Sequence, residues 1–137
     1  MHLVDTNVLS ELARPRPAPA VIQWFAEQEA ITISVVSVEE LAFGVARAPD
    51  AGRLKLAAWL EAMLHTVETV FEVTPAIARA SGELRAARAN TGRPAAQADM
   101  LIAATAIVHG LTLATRNVAD FAGCGVIIVD PFSPTDS

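Results

Sequence analysis

The stretch MHLVDTNVLSEL, residues 1–12, sets a short apolar run against an acid at position 5 and follows it at once with Thr6 and Asn7. A run that is apolar on both faces marks a strand buried within a parallel sheet. A carboxylate at the C-terminal end of such a strand stands where open α/β sheets keep their chemistry. Whether the unit of strand, polar turn and helix recurs then decides the fold.

It recurs along the whole chain. AITISVV (30–36), TVFEV (69–73), LTLAT (111–115) and GVIIVD (125–130) read as four further buried strands, making five. Helical patterns fill the gaps. A short helix over 7–13 is stopped by Pro15, Pro17 and Pro19, and a second over 21–29 carries Val21, Ile22 and Phe25 on one face. Ser37-Val38-Glu39-Glu40 fits a capping box opening a helix to about Arg47, and Asp50 caps a longer one bearing Leu54, Ala57, Leu60 and Leu64. Thr74 followed by Pro75 opens another, running to about Asn90. From Ala95 a helix that is apolar almost all round, and therefore buried, ends at Gly110. Each crossover is two helices long, and the tail after Pro131 is expected to fray. The prediction is an α/β domain over 1–137: a parallel, about five-stranded central sheet, helices on both faces, right-handed crossovers, and a site at the C-terminal edge where strand order reverses.

Composition bounds the function. The 137 residues are 53% hydrophobic, yet no apolar run is long enough for a membrane span, and Asp5 and Glu11 interrupt any signal-peptide core. Cys124, the single cysteine, has no disulfide or metal-ligand partner, which fits a reducing, cytoplasmic setting. A net charge of −5 argues against broad nucleic-acid binding, but nine of the ten basic residues are arginine. Arg79, Arg85, Arg88 and Arg93 crowd one stretch, either as a local basic rim or as the solvated face of a helix. His2, His65 and His109 share no metal-binding spacing, and Trp24, Phe25 and Trp59 read as packing residues. There is no Gly-rich phosphate loop, HExxH or GxSxG motif.

On this scaffold Asp5 ends the first strand, Glu40 lies in the first turn after the second, and Asp99 lies in the first turns of the buried helix. Asn117 and Asp120 follow the fourth strand. All face one sheet edge. Each acid alone has a local explanation, as capping-box partner, dipole complement or turn cap. Together they are carboxylates that would raise one another's pKa unless a cation neutralised them. Oxygen ligands without His or Cys favour Mg²⁺, with Mn²⁺ as the alternative, and such an ion suits phosphodiester hydrolysis.

The segments LVDTNVLSE, SVVSVEELAFGV, ADMLIAATAIVHGLTLATRNVADF and VIIVDPF resemble, in order and spacing, the PIN-domain family and within it the VapC-type toxins of toxin–antitoxin pairs. The resemblance implies a three-layer α/β/α PIN-like fold and a metal-dependent endoribonuclease, usually dimeric and inhibited by a cognate VapB-like antitoxin. It implies Asp5, Glu40 and Asp99 as the metal site. Where a fourth acid often follows the TR of strand four, this chain has Asn117, so Asp120 is expected as the fourth acid. Thr6, Asn7, Thr115, Arg116 and Asn117 are expected as substrate or supporting groups. Two other readings stay open: a phosphotransfer or phosphohydrolase domain with Asp5 as nucleophile, and a non-catalytic acidic pocket that accepts a basic peptide.

Overall fold

Leu3 and Val4 are adjacent and both fully buried, but they enter different hydrophobic clusters. Successive strand side chains point to opposite faces, so this strand lies at the centre of the molecule with helices packed on either side. The computed structural model describes residues 1–133. It contains β1 (His2–Val4), α1 (Thr6–Leu12), α2 (Pro19–Ala26), β2 (Thr32–Ser34), α3 (Val35–Arg47), α4 (Asp50–Thr66), β3 (Thr69–Phe71), α5 (Pro75–Asn90), α6 (Gln97–His109), β4 (Thr112–Ala114) and β5 (Ile128–Val129). A single 3₁₀ turn, Val118–Phe121, follows β4. The five strands form one parallel sheet in the order β3-β2-β1-β4-β5. The chain winds outward from β1 through β2 to β3, then returns to place β4 on the other side of β1. The β1–β4 junction is therefore the point where strand order reverses, and the C-terminal ends there define a crevice.

One cluster joins Val4 to Val8, Leu9, Val21, Ile33, Leu41, Leu60 and Met63, and so seats α1 to α4 on one face. The other joins Leu3 to Met100, Ile102, Ala103, Ala106, Leu113, Phe121 and Cys124, seating α6 on the opposite face with α5 packed on it. Fully burying a Leu or Ile contributes about 1.5–3 kcal/mol each, which is what holds the layers. α6 stops where Gly110 turns left-handed at φ 66°, a conformation that a Cβ would penalise. No helix among the described residues is long and apolar enough to cross a membrane.

Several local expectations need correction. β2 ends at Ser34, so Val35 and Val36 belong to α3 and not to the strand. Ser34, in extended backbone at the strand end, accepts from Val36 N at 3.0 Å and caps the helix, leaving Ser37 inside its first turn. The chain thus passes from strand to helix without a loop. Pro49 holds the N-cap position of α4, and Asp50 is its first residue, paired with Arg53 at 3.1 Å. Residues 134–137, in the tail expected to fray, lie outside the described residues, but Pro131 is buried and Phe132 half-buried, its N–H donated to Asp130 at 2.9 Å.

Candidate active site

Asp5 closes β1 and caps α1, its Oδ1 accepting from Thr6 N at 2.8 Å. Its own N–H donates to Ala114 O at 2.9 Å, so the ladder carries the next residue of β4's end, Thr115, against it. Thr115 donates its hydroxyl to Asp5 Oδ2 at 2.8 Å, and Asn7 Nδ2 donates to the same oxygen at 3.2 Å. Both carboxylate oxygens are therefore oriented. Burial pushes the Asp5 carboxyl up to about 6, the Thr115 and Thr6 hydrogen bonds oppose this, and the charges of Asp99 and Glu40 add to it.

Glu40 sits in the second turn of α3, beyond the reach of any N-cap. Its capping-box explanation therefore falls away. Instead Glu40 Oε1 accepts the Thr6 hydroxyl at 2.7 Å, and that hydroxyl lies 2.8 Å from the buried Ser37 Oγ. Asp99 is the third residue of α6 and is half-buried. A helix N-terminus favours the charged carboxylate, yet the Asp99 pKa is raised, first by burial and then by Asp120 and Glu40, with Arg88 opposing. Burial and like charge outweigh the helix dipole here.

Asp5, Glu40 and Asp99 line one open cavity of about 480 Å³, with Thr6, Asn7, Arg116 and Asn117. Thr115 is buried directly beneath it. Asn117 N donates to Thr115 Oγ1 at 3.1 Å, and Arg116 N donates to Asn7 Oδ1 at 3.2 Å, which ties the segment after β4 to the one after β1. Asp120 is exposed on the 3₁₀ turn and outside the lining, although its charge reaches Asp99. The α5 arginines form no rim. Arg88 braces the backbone, its Nη1 donating to Asp120 O at 2.7 Å and its Nε to Arg93 O at 3.0 Å, and Arg79 and Arg85 are exposed on the helix.

The lining also includes Glu11, Arg14 and Phe132, which sequence reasoning did not single out. The one available signal was the spacing of three between Glu11, in the last turn of α1, and Arg14, just beyond its end, which brings opposite charges within reach of each other.

This donor set fits a hard divalent cation. Four carboxylates, Asp5, Glu11, Glu40 and Asp99, with no His or Cys among the lining residues, share a cavity in which Asp5 and Asp99 titrate upward. Among the described residues no three His, Cys, Asp or Glu side chains close into a cage. An open acidic cavity still suits a small hard cation that keeps several of its waters and takes only one or two carboxylates directly.

Comparison with known proteins places these features in a family. The PIN domain family matches residues 2–122. A VapC ribonuclease, Y4jK of Sinorhizobium fredii, is 34% identical over 98% of this chain and 99% of its own length. The crystal structure of FitAcB from Neisseria gonorrhoeae superposes with a TM-score of 0.88 at 33% identity, covering 96% of this chain and 99% of that one. A toxin–antitoxin complex from Klebsiella pneumoniae contributes a chain with TM-score 0.75 at 28% identity, covering 98% of this chain and 100% of that one.

Proposed function

This chain belongs to the PIN domain family and, within it, to the VapC-type toxins, and from that membership we propose that it is an endoribonuclease cutting RNA at the cavity of Asp5, Glu40 and Asp99. The observation that carries this reading is the convergence of three carboxylates from three separate elements on the strand-order switch point, with the Asp5 carboxyl pushed up to about 6 by burial and by the other two.

Asp5, Glu40 and Asp99 are the residues that would hold the ion, Mg²⁺ or Mn²⁺. When bound, a divalent cation supplies a Lewis acid that polarises a phosphate oxygen and makes an attacking water more acidic. The chain's own contribution is orientation. Thr115, Asn7 and the Thr6 N–H fix both Asp5 oxygens, and the Thr6 hydroxyl, backed by Ser37, fixes Glu40. An Asp5 held on both oxygens suits the role of an oriented ligand. Asn117 and Arg116 meet the substrate from the β4 side, and Asp120 adjusts the charge at Asp99 from outside the cavity.

A cognate VapB-like antitoxin holds the toxin silent, a partnership supported by likeness to a chain of a toxin–antitoxin complex. The acidic cavity suits a basic side chain from such a partner. The protein acts as a cytoplasmic homodimer. The test is RNA cleavage by antitoxin-free protein with Mg²⁺, with EDTA, and after Mg²⁺ is restored. Cleavage should follow the ion, and D5N and D99N should each lose roughly 100-fold or more. Undiminished cleavage by D5N or D99N overturns the reading.

A further inference from the structure

RNA must bring a polyanionic backbone to a cavity lined by four carboxylates, Asp5, Glu11, Glu40 and Asp99. Among the described residues only two cations line it, Arg14 and Arg116, carried on the connection after α1 and on the segment after β4. Arg116 is braced by a ring, and Arg14 is tethered at one point. The Arg116 guanidinium lies over the Phe132 ring, 4.6 Å from its centroid. Arg14 has one nitrogen, Nη1, placed 3.4 Å from Glu11 Oε1, while its side chain remains 65% exposed. Glu11 is itself immobilised, buried and accepting Ala18 N at 2.9 Å through its other oxygen. Pro15, Pro17 and Pro19 stiffen the same connection. A guanidinium tethered by one nitrogen keeps the rest of its fork for a planar anion.

We propose that Arg14 is a phosphate-binding residue of this nuclease, contacting the RNA backbone opposite Arg116 as the strand enters the cavity. The proposal rests on the nuclease reading above. Arg14 acts on substrate capture, and the carboxylates act on the bond that breaks.

The test uses a twenty-nucleotide single-stranded RNA of mixed sequence with antitoxin-free parent protein, R14Q and R14K. R14Q should raise KM about tenfold with kcat within about twofold, and R14K should recover part of the loss. The slope of log KM against log salt should be shallower in R14Q by about 0.7, one phosphate contact on a single strand. A role as mere counter-ion to Glu11 would lower the melting temperature and leave that slope unchanged. Should R14Q alone fold poorly, the double variant E11Q/R14Q removes the charge that needs a counter-ion, and the same slope is read from it. Parent KM and parent slope in a folded R14Q, or in E11Q/R14Q a slope equal to that of E11Q alone, overturn the proposal while leaving the nuclease reading intact. Failure of the parent to cleave RNA with any divalent ion overturns both.

Discussion

Thr115 and Asp5, 110 positions apart, are joined by a 2.8 Å hydrogen bond between a buried hydroxyl and a buried carboxylate across the β1–β4 junction. The bond partly offsets the cost of burying the Asp5 charge, since it opposes the upward push of burial on that carboxyl. Replacing Thr115 with Val keeps the shape and removes the donor. T115V should destabilise the metal-free protein by about 1–3 kcal/mol in urea unfolding. It should also move the Asp5 carboxyl further up, read by NMR titration, and T115S should restore both.

The raised Asp5 value has a definite sign in stability. With a folded pKa of about 6 against 3.8 for an unperturbed aspartate, the native state binds the proton more tightly than the unfolded chain does. The resulting stabilisation is full below about pH 4 and is lost as pH rises through 6. Asp99 shifts the same way, whereas the lowered pKa of His2 pulls stability in the opposite direction. The difference between D5N and parent therefore isolates the Asp5 contribution. In EDTA at pH 7.5, D5N should be more stable by about 1–2 kcal/mol, short of the about 3 kcal/mol the shift implies, because an amide cannot accept from Thr115 and Asn7 as the carboxylate does. The gap should close near pH 4.5, and the same variant should be inactive on RNA.

Thr6 controls the attitude of Glu40 through a 2.7 Å hydrogen bond. A group that orients a metal-binding carboxylate costs about 10- to 100-fold in activity when removed. T6V should fall in that range in RNA cleavage, whereas T6S should stay close to parent. Thermal melting checks that T6V remains folded, because the Thr6 N–H that binds Asp5 is backbone and survives the change.

The sequence carried the positions whose structure is set by neighbouring residues. Asp5 was legible because the switch from apolar to polar at the end of β1 is written in adjacent residues, and so were the start of α5 at Thr74 and Pro75 and the end of α6 at Gly110. The start of α3 was misread because two serines, Ser34 and Ser37, both offer a cap, and the β-branched Val35 and Val36 between them read as strand. Tertiary pairing decides the matter: Ser34 lies opposite Phe71 in the sheet, so the strand must end there. Arg116 is expected at the site from the family resemblance, but Arg14 and Phe132 were illegible, since they join Arg116 at the cavity only in three dimensions. Asn117, at the N-cap of the 3₁₀ turn, lines the cavity, whereas Asp120, within that turn, is exposed.

The two serines at the start of α3, Ser34 capping it and Ser37 in its first turn, should separate stability from activity. Ser34 is fully buried and satisfies Val36 N, so S34A leaves a helix-start donor without its acceptor. The expected cost is about 1–2 kcal/mol in urea unfolding, with RNA cleavage close to parent below the transition. Ser37 caps nothing, and its hydroxyl faces Thr6, which in turn holds Glu40. S37A should therefore lower cleavage by up to about tenfold with a smaller stability loss, since a misplaced supporting group is felt by the carboxylate it orients. If Ser37 and Glu40 instead formed a capping box, the two variants would exchange phenotypes, with S37A taking the larger stability loss and S34A remaining near parent.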